Sequence, residues 1–243
     1  WKVNGAGSAN TDGSINSTVS VNTTAGFSIV QYTGTGSNAT VGHGLGVAPD
    51  AVIIKCTNDT QNWRVYHKGM DATAPEDYAL ILNNTTARDN DNTAFNDTAP
   101  TSTTFSIGTS ATINQNGNGH IAYCFAEKKG YSKFGSYIGN GNTDGPFIYT
   151  GFRPAFVIQR QADGNRDWTM MDSKRAAFNV MDERLVPNDS AAEVTNNDTD
   201  FLSNGFKCRR DQTNTNGNTF RYIYWAFAES PLVGTNNVVG TAR

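Results

Sequence analysis

Acid–base or nucleophilic chemistry in this chain would have to use one of three histidines, His43, His67 and His120. A hydrolytic triad needs a Ser or Cys nucleophile beside a histidine, and the sequence has no Gly-x-Ser-x-Gly nucleophile elbow. His43 lies in Gly-His-Gly-Leu-Gly, which looks like a phosphate-binding loop but lacks the Gly-Lys-Ser/Thr ending. We therefore expect a glycine-rich turn at His43, with a ligand-contacting loop as the alternative. We predict no catalytic residue and no enzymatic activity.

Glu127 and Glu229 are the candidates for glycoside hydrolysis, which uses a pair of acidic side chains. Each follows Phe-Ala at the end of an apolar segment. Because both glutamates have the same sequence context, we expect them to share a structural role. A glycoside hydrolase is the less favoured alternative.

Two oxygen-rich segments carry candidate calcium ligands. Asp89 and Asp91 lie in Asp-Asn-Asp-Asn, and Asp198 and Asp200 lie in Asn-Asp-Thr-Asp. Ca²⁺ takes about six to eight oxygen ligands, but neither segment has the glycine and the terminal glutamate of an EF-hand loop. We therefore expect solvated loops, and we predict no metal and no cofactor.

Trp63 and Trp168 each follow Asn or Asp and precede an apolar segment. The expected role of such a tryptophan in an all-β protein is packing in the core, with its indole N–H hydrogen bonded. The alternative is a carbohydrate platform, in which the ring stacks on a sugar while nearby Asn and Asp side chains bind its hydroxyls. Trp63, Trp168 and His43 are therefore the candidate glycan contacts.

The sequence contains nine N-glycosylation sequons. Ordinary residue usage predicts roughly five from composition alone. The sequons would be modified only if the protein were secreted by a eukaryote. An intact mass equal to that of the bare polypeptide would exclude a glycoprotein. The sequons are at Asn16, Asn22, Asn38, Asn58, Asn83, Asn84, Asn96, Asn188 and Asn197.

Composition excludes several classes of protein. With a net charge of −3, the chain offers no basic surface for a nucleic-acid backbone, so we predict no nucleic-acid partner. No apolar run approaches the roughly 20 residues that span a bilayer, so we predict no membrane insertion. Cys56, Cys124 and Cys208 are odd in number and far apart, which favours three buried free thiols over disulfides or a zinc site.

An internal repeat is the strongest pattern in the sequence. A shift of 105 positions places Tyr32 on Tyr137 and Gly46 on Gly151, and a later shift of 102 places Glu127 on Glu229. The repeat predicts one unit used twice. The predicted segments are a polar lead-in at 1–25, repeats at 26–129 and 130–231, and a C-terminal tail at 232–243.

Short segments within each copy have the composition and the alternation of β-strands. Residues 27–32 and 51–55 are rich in β-branched and aromatic residues and are bounded by Gly, Pro or Asp. Turn dipeptides such as Asn118-Gly119 separate these segments. We therefore predict an all-β fold of two tandem β-sandwich units related by internal duplication.

Several strings in both copies resemble a domain found in tail-fibre and other virion proteins of tailed, often marine, bacteriophages. The strings are residues 25–30, 41–49, 130–137, 150–156 and 201–207. The resemblance spans about residues 1 to 230 and carries no catalytic residues. It implies a protein on the exposed surface of the virion, in a fibre or tail tip that it stiffens, with host-surface glycans as candidate contacts.

The resemblance also sets the expected partners. It implies other virion subunits, a homo-oligomer with a trimer favoured, and a host-surface polysaccharide. The alternatives are a capsid decoration or head-fibre protein and a secreted, glycosylated fibril or adhesin protein. A tail-spike glycoside hydrolase is the less favoured third alternative.

Overall fold

The computed structural model describes residues 2–229, with backbone alone at positions 197 and 198. Strands account for 41% of the described residues and helices for 7%, so the prediction of an all-β protein is confirmed. The chain divides into two compact units, residues 2–82 with 88–127, and residues 83–87 with 128–229. The predicted tail at 232–243 lies outside the described residues.

One eight-stranded antiparallel sheet forms the larger layer of the first unit, in the order β1-β2-β3-β10-β5-β6-β7-β8. The alternation of inward apolar and outward polar residues is clear in β3, where Val30 and Tyr32 are buried while Gln31 and Thr33 are exposed. The strands are β1 (Ser8–Asn10), β2 (Ser17–Asn22), β3 (Phe27–Thr33), β5 (Ala51–Cys56), β6 (Arg64–His67), β7 (Tyr78–Ile81), β8 (Asp89–Asn90) and β10 (Gly119–Phe125).

The second layer of the first unit is a two-stranded ribbon of β4 (Ala39–Gly42) and β9 (Thr104–Ile107) with two short helices. The helices are α1 (Asn92–Phe95) and α2 (Ala111–Asn114), and a 3₁₀ turn spans Pro75–Asp77. Phe105 and Ile107 of the ribbon belong to the same apolar core as Val30 and Ile54 of the sheet. The core therefore lies between the large sheet and the ribbon.

The second unit is built from two four-stranded sheets with a shared apolar core. One sheet has the order β11-β18-β13-β14 and the other has the order β12-β17-β16-β15. A four-residue helix, α3 (Thr213–Asn216), precedes the last strand. The strands are β11 (Ser132–Ile138), β12 (Phe147–Tyr149), β13 (Phe156–Gln161), β14 (Trp168–Asp172), β15 (Met181–Arg184), β16 (Val194–Leu202), β17 (Gly205–Cys208) and β18 (Arg221–Phe227).

Corresponding strands lie in the same order in the two units. The run β3-β10-β5-β6 in the first unit matches β11-β18-β13-β14 in the second, and the pair β4-β9 matches β12-β17. The most apolar strands, β10 and β18, are central in their sheets. The two units therefore share this strand order.

The shift of 105 positions does not hold at β4 and its counterpart β12. The His43 amide donates to the Thr103 carbonyl at 3.1 Å, and the Thr150 amide donates to the Asn204 carbonyl at 3.0 Å, so His43 corresponds to Thr150. The offset here is 107. Compared with the first copy, the second has two additional residues before β12 and two fewer after it. These two length changes cancel, so the sequence alignment looks continuous.

Residues that the sequence assigns to a polar lead-in are part of the first unit. β2 pairs with β3 along its whole length, and β1 pairs with β2. Ile15 and Val19 are buried in the core, because every second residue from Ile15 to Val21 points inward. The first unit therefore begins well before residue 26.

A shared loop structure explains the Tyr-x-Gly-x-Gly pattern of both copies. The Tyr32 hydroxyl donates to the Ile113 carbonyl at 2.6 Å, and the Tyr137 hydroxyl donates to the Thr215 carbonyl at 2.6 Å. A Cβ at Gly34 would overlap the backbone at the end of α2, so only glycine permits this close approach. The pattern therefore fixes the loop after β3 or β11 against a short helix.

A buried asparagine completes the loop in each unit. The Asn114 amide group donates to the Ser37 carbonyl at 2.7 Å and to the Gly108 carbonyl at 2.6 Å, and its oxygen accepts from the Thr35 amide. Asn216 bonds the loop after β11 in the same way, accepting from the Asn140 amide at 2.9 Å. Both side chains are completely buried, so these bonds are shielded from water.

Candidate functional site

His43 is completely buried and cannot contact a glycan, so its assignment as a glycan contact is wrong. Its Nδ1 accepts a hydrogen bond from the Leu45 amide, and its Nε2 donates to the Thr101 carbonyl at 3.2 Å. Burial lowers the pKa of His43, which keeps the ring neutral. His43 therefore stabilises the glycine-rich turn that was expected at this position.

Trp168 is also completely buried, so its assignment as a carbohydrate platform is wrong. Its ring lies 5.5 Å from that of Trp225 and 6.0 Å from the guanidinium carbon of Arg160. Trp63 is half-buried and stacks on Tyr123 with ring centroids 6.3 Å apart. Of the three candidate glycan contacts, Trp63 alone keeps an accessible surface.

The two candidate acids lie in different units, and each forms an ion pair with a lysine. Glu127 pairs with Lys68, which follows β6, and Glu229 pairs with Lys174, which follows β14. The two glutamates differ in exposure, with side chains 29% and 63% exposed, and Lys68 also pairs with Asp50 at 2.7 Å.

The candidate calcium ligands of the first unit are both paired with one arginine. Arg64, with a side chain only 7% exposed, forms ion pairs with both Asp89 and Asp91. In the second unit Asp200 pairs with Arg209 at 3.4 Å, and the side chain of Asp198 lies outside the described residues. Within residues 2–229, no three His, Cys, Asp or Glu side chains are grouped as a metal site would require.

Exposure separates the sequons into two groups. Asn16, Asn38, Asn58 and Asn83 are exposed, whereas Asn22, Asn84, Asn96 and Asn188 are partly buried. Asn188 is bound in the fold, because it accepts from the Trp168 amide and donates to Asp167. The side chain of Asn197 lies outside the described residues.

The three cysteines are buried free thiols, as predicted. Burial raises the pKa of Cys124 to about 12, so this thiol stays protonated. Only the thiolate is an effective nucleophile. Cys124 is therefore a core residue that burial holds in its weakly nucleophilic thiol form.

A groove of about 450 Å³ lies on the outer face of the first unit, where β1, β2, β3 and β10 run side by side. We call it the neutral groove, because none of its lining residues is acidic or is a Lys or Arg. Thr18 lies opposite Gln31, and Thr33 lies opposite Gly119. The outward side chains therefore form a flat row of hydroxyl and amide groups.

The outward side chains of the neutral groove are available for binding. Thr18, Gln31 and Thr33 are exposed, and within residues 2–229 their side chains form no hydrogen bond. Asn16 and Thr57 at the ends of the groove are also exposed. Sequence reasoning missed this site, although the alternation of polar and apolar residues in β2 and β3 was the signal for it.

Two exposed aromatic residues mark a second surface, on β12 of the second unit. Phe147 is 45% exposed and Tyr149 is 63% exposed, and they lie on the same face of the strand with Ile148 buried between them. β12 is at the end of its sheet, with β17 as its neighbour. We call this surface the aromatic edge. The alternation of Phe147, Ile148 and Tyr149 could have indicated it.

No helix in residues 2–229 is long and apolar enough to cross a membrane.

Comparison with known proteins identifies a family but no function. A family model described as a domain of unknown function (DUF7483) matches residues 1–231. No curated protein and no solved structure matches the chain. Since the match covers almost the whole chain and includes both units, the chain belongs to the DUF7483 family.

Proposed function

We propose that this chain is a structural and adhesive module of a tailed-bacteriophage virion, placed in a tail fibre that it stiffens. Its function in this proposal is to hold a binding surface rigidly at the particle surface, in contact with other virion subunits and with host glycans. The chemistry is non-covalent. The resemblance of both copies to virion domains supports this origin.

The neutral groove is the observation that carries the adhesive part of the proposal. A neutral sugar chain presents hydroxyl groups, which are bound by amide and hydroxyl side chains such as those of Thr18, Gln31 and Thr33. The groove is formed on paired strands, so its side chains are held in position before the ligand arrives. Single contacts of this kind are weak, and repetition on an oligomeric fibre would raise the overall affinity.

The loop structure and the buried cores support the stiffening role. Each unit has its own apolar core. The hydrogen bonds of Asn114 and Asn216 are buried, and such fully satisfied polar groups rigidify the segments that they join. A homotrimer is the assembly that we propose for the native fibre.

Labelling of intact particles tests the virion part of the proposal. Gold-conjugated antibodies against this chain should mark tail fibres in electron micrographs. Label on the head would instead identify a capsid decoration protein, and particles without label would overturn the proposal. Light scattering of the full-length native chain should give three times the monomer mass.

Binding to immobilised bacterial polysaccharides tests the adhesive part. We expect the chain to bind at least one neutral polysaccharide, and the double variant Thr18→Glu with Gln31→Glu to bind at least tenfold more weakly. Thr24→Glu is the matched control, because Thr24 is exposed in the turn before β3 and does not line the groove. Equal binding by both variants, or no binding by the native chain, would count against a glycan contact here.

A further inference from the structure

The outer edge of β12 presents unpaired backbone groups. Hydrogen bonds from the Cys208 amide to the Pro146 carbonyl (3.1 Å) and from the Thr150 amide to the Asn204 carbonyl (3.0 Å) show which residues face β17. Because the direction alternates along an antiparallel strand, the N–H and C=O groups of Phe147 and Tyr149 point away from β17. Within residues 2–229, no strand lies on that side.

The corresponding edge in the first unit is covered by the chain itself. β4 corresponds to β12, and its Thr40 carbonyl accepts from the Ile15 amide at 3.0 Å. The Thr40 amide donates to the Ser14 hydroxyl oxygen at 2.9 Å, and the Ser17 hydroxyl donates to the Gly42 carbonyl at 3.0 Å. Residues 14–17 therefore cover this edge through one parallel bridge, between Ile15 and Val41, and two serine hydroxyls, with Ile15 buried in the core.

The two edges differ at the positions that would meet an added strand. Thr40 and Gly42 lie opposite Ser106 and Thr104 of β9. The pairing of β12 with β17 shows that Thr40 corresponds to Phe147 and that Gly42 corresponds to Tyr149.

A Cβ at position 42 would overlap the side chain of Asn10, so a larger residue there would displace that side chain. At the corresponding position, Tyr149 is 63% exposed. The first unit thus has a glycine where the edge is covered, and the second has a large aromatic side chain where it is open.

Exposed edge strands are usually protected by charges, by proline or by a covering segment, because they can pair with other chains. Phe147 and Tyr149 provide none of these protections. Lys207, which lies opposite Phe147 on β17, forms an ion pair with Asp144 at 2.7 Å. An open edge with two aromatic side chains has instead the features of sites that bind an extended peptide by adding a strand to a sheet.

We propose that the aromatic edge binds an extended segment of another polypeptide chain, with the chemistry of residues 13–17. That chemistry is one aliphatic residue between small uncharged polar residues, as in Gly-Ser-Ile-Asn-Ser. The donor is another chain, because this chain uses its own copy of the sequence to cover β4. In the register of Ile15 beside Val41, the aliphatic side chain of the added strand lies beside Ile148 on the buried face. The two aromatic rings lie on the opposite face, beside the small polar residues on either side of it. This inference does not depend on the virion assignment.

A labelled peptide tests the inference. The probe is a fluorescent synthetic peptide of residues 13–22, which lacks Asn10 and so leaves room for Tyr149. Titration with the full-length chain should raise its fluorescence anisotropy in a saturable way. Hydrogen exchange of the complex should show new protection at the amides of Phe147 and Tyr149. Absence of saturable binding would overturn the inference.

Two variants and a control make the test specific. Tyr149→Pro removes the outward N–H without removing a bond to β17, and it should weaken binding at least tenfold. Tyr149→Thr keeps the N–H and removes the ring, so it should weaken binding by a smaller factor. Phe178→Ser is the matched control, since Phe178 is 84% exposed but lies outside β12, and it should bind as the native chain does. Equal binding by Tyr149→Pro would contradict strand addition.

The same measurements distinguish the proposed partner from two other possible occupants of the aromatic edge, this chain's own C-terminus and a second copy of the chain. If the peptide binds only after residues 230–243 are deleted, the edge belongs to this chain's own C-terminus and the inference is wrong. It is also wrong if the native chain forms a dimer that Tyr149→Pro dissociates, because the edge would then pair with a second copy. Circular dichroism should show unchanged strand content in both variants, so loss of binding cannot be attributed to unfolding.

Discussion

The hydroxyl of Tyr32 donates a 2.6 Å hydrogen bond to the carbonyl oxygen of Ile113, which joins β3 to the helix before β10. Both groups are buried, and the ring of Tyr32 also stacks on His120 at 5.2 Å. The same arrangement recurs in the second unit, where Tyr137 bonds Thr215 and stacks on Tyr222 at 5.0 Å. This contact is the reason that a tyrosine precedes the glycines in both copies.

Removal of this hydroxyl should destabilise the first unit. Tyr32→Phe leaves the buried Ile113 carbonyl without its donor, which costs about 1–3 kcal/mol. Urea denaturation should show a lower midpoint with an unchanged slope. Tyr149→Phe is the control, because its hydroxyl is exposed, and its midpoint should equal that of the native chain. Equal midpoints for both variants would show that the bond contributes nothing.

Truncation of the buried asparagines should have a larger effect. Asn114→Ala removes three hydrogen bonds and leaves buried backbone groups unpaired, so we expect a loss of about 2–4 kcal/mol. Asn216→Ala should cost a similar amount in the second unit. Asn116→Ala, two residues from Asn114 but exposed, should be neutral. The melting temperature measures all three, and a neutral Asn114→Ala would refute the role of the loop.

Stability should fall as the pH is lowered from 7.5 to 5.5. Burial lowers the pKa of His43 and His120 below the value of about 6.5 that an unfolded histidine has. The unfolded chain therefore binds more protons below pH 6.5. The stability that depends on neutral rings is fully present above that pH and is lost below it, by up to about 1.4 kcal/mol per pH unit for each histidine.

A substitution isolates the contribution of His120. Tyr222 occupies the corresponding position in the second unit, so His120→Tyr should keep the ring stack while removing the titration. The dependence of the urea midpoint on pH should then become weaker between 7.5 and 5.5. An unchanged pH dependence would mean that other groups cause it.

Arg160 should be essential for the second unit. Its guanidinium is completely buried and donates to four carbonyl oxygens, those of Gln161, Gly164, Thr85 and Thr86. Burial lowers its pKa to about 10. Arg160→Met should lower stability by about 3 kcal/mol or more, because these carbonyls lose their donor. Arg153→Met, at an exposed position, is the control, and the free energy of unfolding compares them.

The sequence alone predicted the all-β class and several strand positions, because alternation and turn dipeptides are local signals. It did not predict that residues 8–22 belong to the first unit. The alternation of Ile15, Ser17, Val19 and Val21 was present, but the many Asn, Ser and Thr residues around it suggested a linker. Polar residues are compatible with an edge strand that has one exposed face.

The candidate site could be predicted less well, since exposure depends on tertiary packing. The equal positions of Trp63 and Trp168 suggested a common role, yet Trp168 is completely buried while Trp63 is half-exposed. The continuous alignment also concealed two compensating length changes, which placed Gly46 rather than Gly44 on Gly151. Hydrogen bonds across β4 and β12 were needed to correct it.

The absence of charged side chains from the lining of the neutral groove determines how any contact made there responds to salt. Attraction between ions weakens as dissolved salt screens it, with a decay length of about 10 Å at 0.1 M and about 3 Å at 1 M. Hydrogen bonds between uncharged amides and hydroxyls have no such long-range component to lose. An attachment through Thr18, Gln31 and Thr33 would hold equally well in fresh water and in concentrated brine.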